Sequence, residues 1–104
     1  MHISVFEYRI RNIDDAAWSQ VCDELAPSFA AVPGLVSKVW LHGQGPTRGG
    51  VYLWADKAAY EAFLASDMGR TVASHPNIAD LTMKDYMVDE RPTRITRGAP
   101  TTPR

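Results

Sequence analysis

The sequence predicts an α+β domain built on one four-stranded antiparallel sheet, and three observations carry that expectation. Four short segments are rich in β-branched and aromatic residues. Two segments of helical periodicity separate them in the order strand, helix, strand, strand, helix, strand. The middle two strand segments, Lys38-Val39-Trp40 and Gly49 to Trp54, are divided only by Leu41 to Arg48, a stretch with two glycines and a proline that reads as a hairpin connection.

Taken in order, His2 to Ile10 is the first strand. Ile3 and Val5 fall on one face and Phe6, Tyr8 and Ile10 on the other, so neither side is hydrophilic and both are expected to be covered. Asn12 to Asp15 supplies turn chemistry and an N-cap. The helix after it has its apolar stripe at Trp18, Val21, Cys22, Leu25 and Phe29. Pro27 lacks the N–H that would bond one turn back, which predicts a kink or a division there. Pro33-Gly34 ends the helix.

In the hairpin, Val39, Val51 and Leu53 alternate with Lys38, Trp40, Tyr52 and Trp54, giving one aliphatic face and one aromatic face with a cation in it. Asp56 caps a second helix with a buried stripe of Tyr60, Phe63 and Leu64, extending to Met68 and Val72 after a break at Gly69. Ile78 to Val88 is the last strand, with Leu81, Met83 and Met87 on one face and Lys84, Tyr86 and Val88 on the other. Residues 91–104 hold four arginines, three prolines and four threonines with little apolar content beyond Ile95. They read as a tail, flexible or packed on a partner, following a domain of residues 1–90.

That element order is the split βαβ, ferredoxin-like pattern (βαββαβ). Helices cover one face of such a sheet, and the other face meets water or another subunit. Neither face is polar enough for water, so a homodimer with the two sheets face to face is expected.

Composition bounds the function. The 104 residues carry a net charge of −1 with a pI near 6.3, which leaves no electrostatic footprint for nucleic acid or an anionic membrane. The first residues contain no basic segment followed by a long apolar core, so no membrane insertion or secretion is expected. Cys22 is the only cysteine, which excludes an intrachain disulfide and fits a reducing cytoplasm. The glycines around Gln44 and at 49–50 do not form a phosphate loop, and the histidines have no metal-ligand spacing. No cofactor is therefore expected.

Several pieces of the sequence together resemble a known family. Pro33-Gly34-Leu35, Lys38-Val39-Trp40, Gly49-Gly50-Val51-Tyr52-Leu53 with Asp56, and Val88-Asp89-Glu90 followed by Ile95 are similar in order and spacing to the YdhR-like monooxygenases. These lie within the larger group of dimeric α+β-barrel proteins that includes antibiotic-biosynthesis monooxygenases. The resemblance implies a dimer with a pocket in each subunit between sheet and helices. In some relatives that pocket oxidises polycyclic aromatics with O₂ and neither metal nor flavin; others isomerise lactones or degrade haem. Trp54 stands where many antibiotic-biosynthesis monooxygenases have a tryptophan. Phe63 stands where the group often has a helical histidine.

The candidate site starts from the aromatic face. In a hairpin turning near Gly45, Trp40 is expected opposite Tyr52, and Lys38 opposite Trp54, with cross-strand Cβ atoms about 4.5–5.5 Å apart. Phe6, Tyr8 and Tyr86 extend the surface from neighbouring strands, and Phe63 faces it from the helix. Such a wall suits a flat, apolar, partly hydroxylated ligand; its plainer use is to fill the core or a subunit interface. Lys38 is costly on a covered face unless paired. It either holds a substrate phenolate or carboxylate, pairs with Asp85, Asp89 or Glu90, or reaches solvent at the sheet edge. His42 and His75 are the candidate bases, against an ordinary surface role for each; His2 is too close to the chain end to rank with them.

The expected function is a small cofactor-independent monooxygenase acting on an aromatic or polyketide-like molecule. His75 or His42 takes a proton, the carbanion reduces O₂, and Lys38 steadies the oxyanion. The alternatives are an isomerase, cyclase or lyase using the same pocket and base, or a non-catalytic small-molecule-binding dimer.

Overall fold

The computed structural model describes residues 1–100. Its elements are β1 (His2–Ile10), α1 (Asp15–Ala30), β2 (Leu35–His42), β3 (Thr47–Trp54), α2 (Lys57–Ala65), α3 (Asp67–Ala73), β4 (Ile78–Met87) and α4 (Glu90–Ile95). The strands form one antiparallel sheet in the order β2-β3-β1-β4. The ferredoxin-like expectation is met.

The first two helices each begin where a side chain satisfies an orphan amide. Asp14 accepts from the Ala17 N–H at 2.7 Å, and Asp56 accepts from the Ala59 N–H at 2.8 Å. One local expectation is corrected and another is narrowed. Pro27 sits inside an unbroken α1 rather than dividing it, because losing one amide does not outweigh the burial of Trp18 and Phe29 on the same helix. The break after α2 falls at Ser66, not Gly69. Ser66 Oγ accepts from the Gly69 N–H at 3.1 Å, which starts α3. Gly69 is instead a close-approach position, since a Cβ there would lie 2.0 Å from the Phe63 carbonyl oxygen. The first residues of the expected tail belong to the short helix α4, which buries no residue; residues 101–104 lie outside the described part.

Strand alternation divides the molecule into a packed side and an open side. Ser4, Phe6, Tyr8, Tyr52 and Trp54 point at the helices and are buried; the rings among them pack with Phe29, Tyr60 and Phe63 or with Trp18. Ile3, Val5, Val39, Leu41 and Val51 point the other way, away from both core clusters; Val39 is 56% exposed. The aromatic face of the hairpin therefore meets the helices.

Candidate active site

The hairpin turns at Gly45, whose φ of +56° a residue without a Cβ adopts freely. The Gly43 N–H donates to the Thr47 carbonyl at 2.9 Å and closes the loop. This turn pairs Lys38 with Tyr52 and Trp40 with Gly50. The expected partners (Trp40 with Tyr52, Lys38 with Trp54) are thus displaced by two residues. A displacement of two keeps every side chain on its face, so the aromatic surface survives the correction. What changes is the room beside Lys38. Gly50 puts no side chain opposite Trp40, and a Cβ there would stand 3.1 Å from both Lys38 Cε and a ring carbon of Tyr52.

The Lys38 side chain lies in that space with its ammonium nitrogen among three rings. Nζ is 3.1 Å from the centroid of Trp40, 3.5 Å from Phe29 and 4.8 Å from Tyr52. Among the described residues no ion pair includes it. Asp85, Asp89 and Glu90, its expected acidic partners, cannot reach it. β2 is at one edge of the sheet and β4 at the other, and Asp85 is hydrogen-bonded to His2 instead. Burial disfavours the ammonium, the nearby Cys22 thiol offsets this only in part, and the Lys38 pKa is lowered to about 7. The same burial keeps neighbouring acids protonated. It raises the Tyr8 hydroxyl to about 12, moves Tyr52 upward, and pushes the Cys22 thiol up.

Three spaces meet at Trp40. An inner cavity of about 20 Å³, room for a single water, is lined by Tyr8, Trp18, Lys38, Tyr52 and His75 among others. A cleft of about 310 Å³ opens between α1 and the hairpin, past Tyr8, Trp18, Cys22, His42 and Arg48. A third, of about 290 Å³, runs along the β2 edge past Phe29, Ser37 and Lys38. Trp40 lines all three. The clefts are of the size that small ligands use, though at its lower end.

The two candidate histidines separate. His75 reaches the inner cavity and packs edge-on against Trp18, with centroids 5.6 Å apart. Its Nδ1 accepts the Asn77 backbone N–H at 3.1 Å, so a neutral ring carries its proton on Nε2. His75 is thereby arranged as a donor. His42 is exposed at the rim of the outer cleft, paired with Arg48 across the hairpin. Arg48 itself is buried. It donates to the carbonyls of Gly45 at 2.8 Å and Thr47 at 2.7 Å and to Asp15 at 2.9 Å, tying the hairpin loop to the start of α1.

The other expected ligand-wall residues divide as well. Trp40, Tyr8 and Tyr52 line the cavities. Phe6, Trp54 and Phe63 are buried and line none of these three spaces. Trp54 is fully buried, stacks on Tyr52 at an interplanar angle of 4°, and donates its indole N–H to Ser4 Oγ at 3.0 Å. Phe63 packs on Trp54 with centroids 5.3 Å apart. Tyr86 is misplaced in the expectation: it pairs with Ile3 on the open side of the sheet and is 54% exposed. Three further residues contribute. Trp18 and Phe29 were visible only as members of a helical stripe, and Arg48 looked like a hairpin loop residue. His2, set aside for its terminal position, is buried; it lies against Tyr60 and is bonded to Asp85 at 2.6 Å. Among the described residues, no group of three or more His, Cys, Asp or Glu side chains is placed to hold a metal ion.

The family model described as putative mono-oxygenase YdhR matches residues 3–99. The chain belongs to the YdhR family. No curated protein matches it. Among solved structures, an antibiotic biosynthesis monooxygenase from Deinococcus radiodurans, described as putative, superposes with a TM-score of 0.72 at 19% identity, covering 86% of this chain and 94% of that one. SnoaB, a cofactor-independent oxygenase from Streptomyces nogalater, has a TM-score of 0.66 at 15% identity over 86% and 94% of the two chains. MhuD, a heme-degrader from Mycobacterium tuberculosis with two hemes in its active site, gives 0.68 at 14% over 86% and 96%. At these identities the likeness of the YdhR-family chain to the three is one of fold. Among the described residues no helix is long and apolar enough to cross a membrane.

Proposed function

We propose that this YdhR-family chain is a cofactor-independent oxygenase for an aromatic or polyketide-like small molecule, with Lys38 as its base. The observation that carries this reading is the Lys38 amine held among Phe29, Trp40 and Tyr52 without a carboxylate partner. An amine with a pKa of about 7 is half free base at neutral pH, which is the condition for efficient general base catalysis there. Lys38 takes a proton from an acidic C–H or O–H of the bound ring system. The ammonium so formed then faces the anion it has made, which combines the base and oxyanion roles in one residue.

The substrate anion supplies all the electrons. At a ring methylene, one oxygen atom of O₂ becomes the new carbonyl and the other leaves as water with the two methylene hydrogens. Trp40 and Tyr8 stack on the substrate from the outer cleft. His75 donates from Nε2 to a substrate oxygen, and His42 at the rim orients a polar end. The smallness of the inner cavity requires Trp40 to swing aside and join it to a cleft. The reading extends to assembly and place: two copies bury their open sheet faces against each other in a homodimer, which works in the reducing cytoplasm.

Oxygen uptake by chelator-treated, flavin-free protein with a tricyclic aromatic methylene ketone as probe tests this. Turnover without added metal or flavin is the expected result; a strict requirement for either overturns it. A second reading, an isomerase, cyclase or lyase, is favoured by the fact that Lys38 chemistry is proton transfer and needs no oxygen by itself. Net conversion of substrate to product that continues undiminished under nitrogen selects it.

A further inference from the structure

Lys38 faces the β2 edge as well as the inner cavity. The edge cleft of about 290 Å³ is lined by Phe29, Leu35, Ser37, Lys38 and Trp40 among others, a mostly apolar set with Lys38 as its one charged member. The three rings around Nζ offer no oxygen anion to hold the proton, and no ion pair among the described residues does so. A desolvated amine of this kind is a nucleophile toward carbonyl carbon. We propose that the Lys38 ε-amine is a covalent attachment site for aldehydes and ketones, aromatic ones above all, which it captures as an imine. The proposal rests on the same lysine as the oxygenase reading but on no oxidation.

The step is balanced within amine and carbonyl. The Nζ lone pair bonds to the carbonyl carbon, and the C=O π pair moves to oxygen, which takes a proton as one leaves nitrogen. The carbinolamine then loses its hydroxyl as water, with the last N–H proton supplying the second hydrogen. Amine plus carbonyl gives imine plus water, and nothing is oxidised or reduced. When the imine takes up a proton it is again a cation among Trp40, Phe29 and Tyr52, where it gains the attraction the ammonium had. The edge cleft accepts the aryl group, with Trp40 and Phe29 as its walls.

Benzaldehyde with cyanoborohydride tests the assignment on the full wild-type chain under nitrogen. The hydride fixes any imine as a benzylamine, and peptide mapping by mass spectrometry locates it. Lys57 and Lys84, the other two lysines, are exposed and serve as internal references. Lys38 is expected to be benzylated at pH 7 on the order of tenfold faster than either, since an ordinary lysine is almost wholly protonated there. Its labelling rate is expected to reach half its maximum near pH 7. Labelling of Lys38 no faster than that of Lys57 and Lys84 overturns the proposal. The oxygenase reading stands or falls separately, because trapping consumes no oxygen and oxygen uptake needs no trapped imine.

Discussion

Lys38 Nζ lies 3.1 Å from the centre of the Trp40 ring, two residues along the same strand. Side chains at i and i+2 of a strand share a face, so the contact is local in sequence. What makes it unusual is the surroundings. Phe29 descends from α1 and Tyr52 stands across the ladder, so that water is replaced by ring faces and no carboxylate is substituted for it. Ring quadrupoles recover part of the lost hydration, and the rest is the cause of the lowered pKa.

That arrangement makes stability depend on pH in a stated direction. The unfolded Lys38 titrates near its ordinary value of 10.5 and the folded one at about 7. Between those values the unfolded chain binds the extra proton, so stability rises with pH across the window. Below about pH 7 the ammonium is present in both states and the full burial penalty applies. Lys38→Met should therefore stabilise the fold at pH 6, by on the order of 2–3 kcal/mol. The gain should shrink steadily as the pH is raised to 9. Urea unfolding of both proteins at several pH values measures it; a gain independent of pH would contradict the assignment.

Trp54 and Ser4 form a buried polar contact beneath the site. Ser4→Ala leaves the indole N–H without a partner where water does not reach. It should cost about 1–3 kcal/mol, more than the loss of a small side chain would suggest. Trp54→Ala empties the space under Tyr52 and Phe63 and should cost about 3–5 kcal/mol. Thermal or denaturant midpoints of the two variants, compared with wild type, give the order.

Arg48 braces the hairpin chiefly through carbonyls. Its contact with Asp15 ends on a carboxylate that is 74% exposed, where solvent screening leaves little. Asp15→Asn should accordingly cost less than about 1 kcal/mol. Arg48→Met leaves the Gly45 carbonyl without its donor and should cost about 1–3 kcal/mol. Equal costs for the two substitutions in denaturant unfolding would mean that the ion pair, not the loop, is what Arg48 holds.

The open sheet face gives a prediction about assembly. Val39 is 56% exposed among aliphatic neighbours on the sheet face that belongs to neither core cluster. If two copies meet there, Val39→Lys places two like charges in an apolar contact and should convert a dimer to a monomer in light scattering. The monomer fold should be barely affected, because a surface substitution of this type usually stays within about 0.5 kcal/mol.

Much of this was legible in the residues. Alternation from Lys38 to Trp54 placed Lys38, Trp40, Tyr52 and Trp54 on one face, and element order fixed the sheet. The hairpin register was not legible to better than two residues, since it depends on which residue near Gly45 takes a positive φ. The surroundings of Lys38 differ from expectation for a different reason. Asp85 and Glu90 are close to it only if β4 neighbours β2, and the ferredoxin-like order puts these two strands at opposite edges of the sheet. Phe29 and Trp18 lie three turns apart on one helical stripe, with nothing to tell a ring that covers a lysine from one that fills a core. Ser66 is a favoured N-cap type, but the glycine three residues on is the more conspicuous breaker until the Ser66 Oγ is seen to accept from the Gly69 N–H.

The base assignment to Lys38 is tested most directly by the pH dependence of turnover with the tricyclic methylene ketone, measured for wild type, Lys38→Met and His75→Gln. The wild-type rate should rise with pH to a plateau, with an apparent pKa close to 7. Lys38→Met should lose at least about 100-fold in kcat along with that inflection, while His75→Gln, still able to donate a hydrogen bond, should keep the inflection at a reduced rate. An unchanged profile in Lys38→Met, or an inflection that disappears with His75 instead, would contradict the assignment.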